Sequence, residues 1–483
     1  MQFNSYIFVL VYLPIIVLGY FVSNKISISF GKIWLIIGSM GFYLYGGGVN
    51  STVILCLSII INLALAQIMI RCGRYCRALL IIAIVSNVML LFYYKYVNFF
   101  ISNWNRVFGT EHGLLDLILP VGISFFTFQQ ISYLVRVYQN TAMEINVLDY
   151  LTYILFFPKL IMGPLMEPED FISQLNDTQK KKVNWDHIAC GIKIFSFGLF
   201  KKMVLADTFA GAVAWGYADI EAATSMDWLL IMLFYTFEIY FDFSGYSDMA
   251  TGVSLMLNIH LPINFDSPYK ALSIRDFWKR WHISLTTFLT KYIYIPLGGS
   301  KRGKIRTYFN IMIVFAVSGI WHGANWTFIV WGLLHGLLSI GDRIFEKTQT
   351  KLMETVRWMF TFGAVNVLWL LFRSDSIAQW MSILHRILTF QVSISDGLLS
   401  VFRLPETRVL ADTLHIMDIW QTEGRGLWML LFLSFSMILC LVPENNYRKL
   451  FRNNALWMLA AAVAFIWAFL CLGSESVFVY FNF

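Results

Sequence analysis

The sequence predicts an all-α polytopic membrane protein, and two observations carry that expectation. Of its 483 residues, 58% are hydrophobic and only 13% are charged, against roughly 25% charged in water-soluble globular chains. Apolar runs also recur along the whole length: Tyr6–Val22, Ile33–Tyr45, Val53–Ile70, Leu79–Phe92, Leu114–Val135, Trp228–Phe241, Ile311–Trp321, Ala324–Ile340, Trp358–Leu371, Leu427–Val442 and Leu456–Leu472. A helix that crosses a bilayer needs about 20 mostly apolar residues. Several runs are shorter, which suits tilted, re-entrant or interfacial segments. Roughly 11–13 membrane segments are expected. No Pro/Gly/Ser-rich linker divides the chain, so residues 1–483 read as one membrane domain.

The runs are justified in order by what flanks them. The first positive charges, Lys25 and Lys32, follow the first run, no positive n-region precedes it, and no small-residue cleavage site follows it. By the positive-inside rule the N-terminus is expected outside and this loop in the cytosol. The second run leaves at "YGGGVN" and the third returns to Arg71, Arg74 and Arg77, in the same sense. The polar stretches 166–185 and 403–426 read as loops or surface helices. No internal repeat is visible, whereas many secondary transporters are built from duplicated halves.

Several chemistries find no support. Cysteines 56, 72, 76, 190, 440 and 471 are scattered. Cys72 and Cys76 lack the second pair or nearby histidines of a zinc site, so all six are expected as buried thiols. No HExxH, Walker A or dinucleotide fingerprint occurs.

Charge is concentrated in one block. Between Lys270 and Arg306 stand Lys270, Arg275, Lys279, Arg280, Lys291, Lys301, Arg302, Lys304 and Arg306 against one acid, Asp276. The block is expected on the cytosolic side. On charge alone, an orientation signal in contact with anionic lipid is favoured over a docking site for a phosphate-bearing cosubstrate. Within it, "SIRDFWKRWHISLTTFLTKYIYIPLGGS" (273–300) reads as an amphipathic helix. Phe277, Trp281, Phe288 and Tyr292 form its aromatic stripe, with Lys279, Arg280 and His282 at other angles. Such a helix suits the membrane interface, either as a surface anchor or beside a substrate path.

"EIYFDFSGYSDMATG" (238–252) sets Glu238 and Asp242 on one helix face, with Asp248 beyond Gly245. Ionisable groups at membrane depth face partners or water-filled cavities. Two readings stand: pairing with the basic block, or lining a substrate site. Among eight histidines, His112, His187, His385 and His415 lie in polar or mixed settings, His260 ends a segment, and His335 is expected to hydrogen-bond a neighbouring helix. His322, in "GIWHGANW" (319–326), lies between apolar runs. An imidazole can act as a general base near neutral pH. Gly319 and Gly323 leave room for close approach, Asn325 offers an amide, and Trp321 and Trp326 offer dry walls. By residue chemistry alone, a histidine bonded between helices is an equal reading.

These stretches together resemble the membrane-bound O-acyltransferase (MBOAT) family, in its bacterial alginate O-acetyltransferase branch. The resemblance spans nearly the whole chain in matching order. It rests on "PVGISFFTFQQISYLVRVY" (120–138), "LFFPKLIMGPL" (155–165), "GLFKKMVLAD" (198–207) and "YFDFSGYSDMATG" (240–252). It continues through "PINFDSPYKALSIRDFWKRWHISLTTFLTKYIYIPLGGS" (262–300), "GIWHGANWTFIVWGLLHG" (319–336) and "LFRSDS" (371–376). It implies a helical bundle with re-entrant or interfacial helices around a central funnel. It implies His322 as the catalytic residue and His282 as the second characteristic position. One departure is "LMEPEDF", where Glu167 and Glu169 replace a basic local charge.

The resemblance further implies a bacterial plasma-membrane enzyme that binds no resident cofactor and uses acetyl-coenzyme A or an acyl-carrier thioester as cosubstrate. A cytosolic funnel rimmed by Arg275, Lys279 and Arg280 would receive the donor. Asp276, Trp321, Asn325, Asp242, Ser244 and Asp248 complete the expected substrate-lining set. An extracytoplasmic O-acetyltransferase partner and polymer synthesis and export machinery would complete transfer to polysaccharide. Membrane lipids are expected partners and nucleic acid is not. The rivals are D-alanyl transfer to teichoic acid, a polysaccharide or lipid transporter, and a non-catalytic export scaffold.

Overall fold

A chain this apolar finds no water inside a bilayer for its backbone N–H and C=O groups, so helices must satisfy them within each segment. The computed structural model follows that rule: no strand occurs among the described residues. Those are the whole chain apart from residues 73–74, 141–144, 350, 405–407, 409–411, 414, 416–424, 444, 446, 449–450, 452–453, 474–477 and 479–483. Arg74 and most of the 403–426 stretch therefore lie outside the described residues.

A π-helical turn, Phe8–Tyr12, leads into α1 (Leu13–Ile26). Extended Ser27 caps α2 (Ile28–Arg71) by accepting the Phe30 N–H. The expected runs 33–45 and 53–70 share this 44-residue helix, which bends at Gly48, where φ is +72°. Only glycine adopts that conformation without strain. α3 (Cys76–Leu91) continues through a π turn, Phe92–Tyr96, into α4 (Val97–Phe108). The run expected over 114–135 departs from expectation. No helix forms before Pro120 and Gly122 (φ +71°), and α5 (Ile123–Gln139) holds only its second half.

Two short helices follow, α6 (Val147–Leu155) and α7 (Pro168–Asn176). Then α8 (Trp185–Phe200) passes through a π turn, Lys201–Ala206, into α9 (Asp207–Ala218). The 32-residue α10 (Ser225–Met256) is started by a capping box between Thr224 and Asp227. The basic segment forms α11 (Ile274–Arg280) and α12 (Ile283–Leu289), then come α13 (Lys304–His322), α14 (Trp326–Ile344) and α15 (Glu354–Arg373). An 11-residue helix, Ile377–Ile387, follows, and α16 (Arg425–Leu441) and α17 (Ala455–Leu470) are the last of the longer helices.

By length and composition, five stretches among the described residues suffice to cross a membrane: Phe8–Ile26, Ile28–Arg71, Cys76–Phe108, Glu354–Arg373 and Ala455–Gly473. Fewer pass that test than the sequence led us to expect, for a physical reason. The runs at 228–241, 311–321 and 324–340 belong to α10, α13 and α14, which bury polar side chains against protein rather than facing lipid all round.

Glycine sets how closely the central helices approach. α8 and α10 meet at Gly191 against Gly252 and Gly198 against Gly245. A Cβ on Gly191 would sit 2.6 Å from the Gly252 carbonyl oxygen, and one on Gly198 the same distance from that of Gly245. Small residues at helix crossings give this close contact within membranes. Beside it lie two ion pairs, Lys202–Asp242 and Lys201–Asp248, each at 2.7 Å. Asp242 and Asp248 thus meet lysines in the turn after α8, not the downstream basic block.

Two further expectations change. Residues 273–300 are not one helix: His282, at φ +45° and ψ +52°, breaks α11 from α12. Phe277, Trp281 and Phe288 are buried in the core and only Tyr292 is half-buried, so the aromatic stripe faces protein. Of the six cysteines, only Cys76, Cys190 and Cys440 are buried, Cys72 is exposed, and all are free thiols.

Gly198→Val should destabilise the fold by about 1–3 kcal/mol through overpacking. Thermal unfolding in detergent will read this as a lowered Tm, with a reduced level in membranes.

Candidate active site

His322 is the last residue of α13, and its position follows from how α13 and α14 pack. Gly319 and Gly332 face each other, and a Cβ on either would collide with a backbone carbonyl, that of Phe328 or Phe315. The helices therefore cross at near-backbone contact, and the three-residue link Gly323–Asn325 joins them. His322 is 97% buried. Its ring is walled by Trp321, Trp331 and Phe372, with ring centroids at 5.0, 5.1 and 5.3 Å.

His282 is fully buried on the other side of Trp321, 6.0 Å between centroids. Its Nδ1 lies 3.1 Å from Asn264 Oδ1, which fixes the ring, and its Nε2 has no hydrogen-bond partner among the described residues. The Asn264 carboxamide also takes the Ser284 hydroxyl at 2.9 Å, so it pins the break between α11 and α12. A buried, oriented ring nitrogen without a partner suits a group that meets substrate, because an idle buried polar atom costs stability. His335 behaves as expected of a structural histidine: its Nδ1 accepts from Trp278 Nε1 at 3.2 Å.

Three cavities surround this core. His322, Trp321, Lys95, Ser124 and Gly122 line one of about 100 Å³. A second, of about 540 Å³, runs from Phe128 and Phe288 to Glu167, Asp170, Gln174 and His260. Phe128 stacks on Trp321 (5.5 Å, 13°) and on Phe288 (4.2 Å, 17°), so the first two cavities lie back to back across a ring pair. The third, about 290 Å³, follows α13 along Ile311, Val314, Phe315 and Ser318, with Arg275, Lys279 and Arg343 among its lining. Ser318 stands one helical turn before His322.

The sequence-named residues divide accordingly. His322, His282 and Trp321 come together, and Arg275 and Lys279 share the third cavity. Arg275 also pairs with Glu346 at 3.3 Å. Arg280 does not join them: it turns back to Asp276 (2.9 Å) and the Asp266 carbonyl. Asp276 works locally, held to Ser273 at the start of α11. Asn325 is a helix cap, its Oδ1 accepting from Thr327 N–H and its Nδ2 donating to the Asp375 carbonyl. That amide is committed and does not face His322. Trp326 is 51% exposed and bonds Asn103, so it is no wall of the site. Asp242 and Asp248 are held by the lysine pairs above, and Ser244 is buried on the same helix; none of the three lines these cavities. Glu167 engages Lys291 and the Tyr292 hydroxyl, both at 2.9 Å, and Glu169 pairs with Arg136. Lys95, Phe128, Asn264 and Phe372 escaped the sequence reading. Lys95 alone carried a signal, as a lone charge in an apolar stretch.

Comparison with known proteins decides the class. The family model for membrane-bound O-acyltransferases matches residues 143–374. A peptidoglycan O-acetyltransferase of Helicobacter pylori is 35% identical across 100% of this chain and 97% of its own length. The chain belongs to the membrane-bound O-acyltransferase family. It is a multi-pass membrane acyltransferase. A probable alginate O-acetylase AlgI of Pseudomonas aeruginosa is 35% identical over 78% of this chain and 73% of its own. A teichoic acid D-alanyltransferase of Bacillus subtilis is 28% identical over 51% of the chain and 65% of its own. The matched region holds both histidines, the basic segment and most of the aromatic core.

Asn325→Ala should lower stability by about 1 kcal/mol, the usual cost of a lost N-cap. Acyl transfer per folded molecule should stay within about threefold of wild type, since the amide is a cap and not a substrate contact. Tm and specific activity measured together check this, and Asn325→Asp should restore the Tm.

Proposed function

We propose that this acyltransferase moves an acetyl group from a cytosolic thioester to hydroxyls of a cell-surface polysaccharide, with His322 as general base. The observation that carries the reading is the setting of His322. It is buried at the far end of α13, whose 19 residues rise about 28 Å from the basic block, close to the thickness of a bilayer's hydrocarbon core. The donor would dock at Arg275, Lys279 and Arg343, where cations complement phosphates. Its acyl arm would follow Ser318 toward His322.

In the chemical step, the His322 imidazole takes the proton of an incoming hydroxyl. The oxygen attacks the acetyl carbonyl carbon, the carbon–sulfur bond breaks, and the leaving thiolate recovers the proton from the imidazolium. The hydroxyl belongs to a sugar or to a serine of an extracytoplasmic partner that completes the transfer. The buried His282 Nε2 would hydrogen-bond the donor or the developing oxyanion. Trp321, Trp331 and Phe372 exclude water that would otherwise hydrolyse the thioester. The full-length likeness to a peptidoglycan O-acetyltransferase favours peptidoglycan over alginate as the class of acceptor.

Two outcomes test this. His322→Ala, at normal membrane level, should lower ester-linked acetate on the cell-surface polymer by about 100-fold or more, the contribution of a positioned base. Unchanged acetate would sink the assignment. Lys279→Glu with Arg343→Glu should raise the KM for acetyl-coenzyme A about tenfold with kcat little changed, as expected for lost phosphate contacts.

A further inference from the structure

We infer that Lys95 is the positioning residue of the active site, holding His322 by the end of its own helix; this rests on His322 being the base. Lys95 is the only charged residue between positions 79 and 100 of the sequence. An ionisable side chain within such a span is costly and marks function. It sits on the π turn Phe92–Tyr96, a distortion that recurs at functional sites.

The geometry gives the role. The last carbonyls of any α-helix lack intrahelical partners. α13 ends at His322 with Gly323 extended (φ −170°, ψ 158°), and no backbone N–H beyond it is seen to return to the helix among the described residues. The π turn supplies what is missing. Tyr96 Oη donates to the Ile320 carbonyl at 2.8 Å. Lys95 Nζ donates to the Trp321 carbonyl at 2.7 Å and the His322 carbonyl at 3.1 Å, with Ser124 Oγ at 3.5 Å. Three consecutive carbonyls, ending at the base itself, are thus capped from another helix.

An ammonium has three N–H donors, and here three acceptors receive them. None is left for substrate, although Lys95 lines the His322 cavity. Lys95 therefore acts through His322: it fixes the backbone from which the imidazole projects, at a helix end where Gly323 is extended and forms no left-handed glycine cap.

The test uses purified full-length protein in detergent, with acetyl-coenzyme A and acceptor polymer extracted from the same cells, and reads thiol release. Lys95→Met should lower kcat about 10- to 100-fold, the scale for ångström misplacement of a catalytic group. The KM for acetyl-coenzyme A should stay within about threefold, and Lys95→Arg, which keeps charged donors, should recover most of kcat. A Lys95→Met enzyme with wild-type kcat, a loss confined to KM, or an arginine variant as poor as methionine overturns the inference. If Lys95→Met fails to accumulate, Tyr96→Phe takes its place: it frees only the Ile320 carbonyl and should give a smaller fall in kcat, and no fall counts against the inference. His322→Ala runs alongside. Activity surviving that change refutes the reading of the base, whereas an inactive His322→Ala beside a fully active Lys95→Met refutes the positioning role alone.

Discussion

Helix ends buried away from water govern this site. A helix that stops inside protein at membrane depth leaves carbonyls or N–H groups that only other parts of the chain can satisfy. His322 lies at such a point, with α13 ending and α14 beginning four residues later. The carbonyl end is closed by Lys95 and Tyr96, and the N–H end by Asn325, whose other amide atom reaches Asp375. The His322 ring is therefore held by four separate stretches of chain. Two of them, α13 and α14, also supply walls, Trp321 and Trp331, and α15 adds Phe372.

Charge is handled with similar economy. Lys202, fully enclosed, meets both Asp242 and Asp207, and Lys201 meets Asp248. A buried charge pair contributes little net stability, but breaking one is expensive. These pairs lock α10 to the turn after α8 without touching the reacting groups. Lys279 of α11 and Arg343 of α14 are exposed instead and stay available to solutes. Two populations of basic residues thus do different work, one holding helices together and the other facing the aqueous side.

The sequence read well where one periodicity or one apolar run decided the outcome. The long spans, the aromatic core and the grouping of His282 with His322 were legible because burial and the ordered motifs pointed the same way. What escaped was tertiary. Pro120 and Gly122 turned half an expected run out of helix. His282 took a left-handed conformation and split a continuous amphipathic pattern, since Asn264 rewards the break with bonds to both sides of it. Asn325 looked like substrate chemistry because a cap and an oxyanion donor are the same amide, distinguished only by what it faces. Arg280 lay within one turn of Lys279, yet its reach to Asp276 took it out of the cavity. Lys95 was hidden as a run boundary, because its two nearest acceptors are backbone carbonyls that no residue pattern encodes.

The stacked pair of Trp321 and Phe128 has an electrical meaning. Water-filled cavities that met from opposite sides of a membrane would make a wire for protons, and each charge crossing dissipates about 2.3 kcal/mol per 100 mV of potential. Between these two cavities the stacked rings of Trp321 and Phe128 interrupt any such wire. The packing that walls His322 thus doubles as electrical insulation.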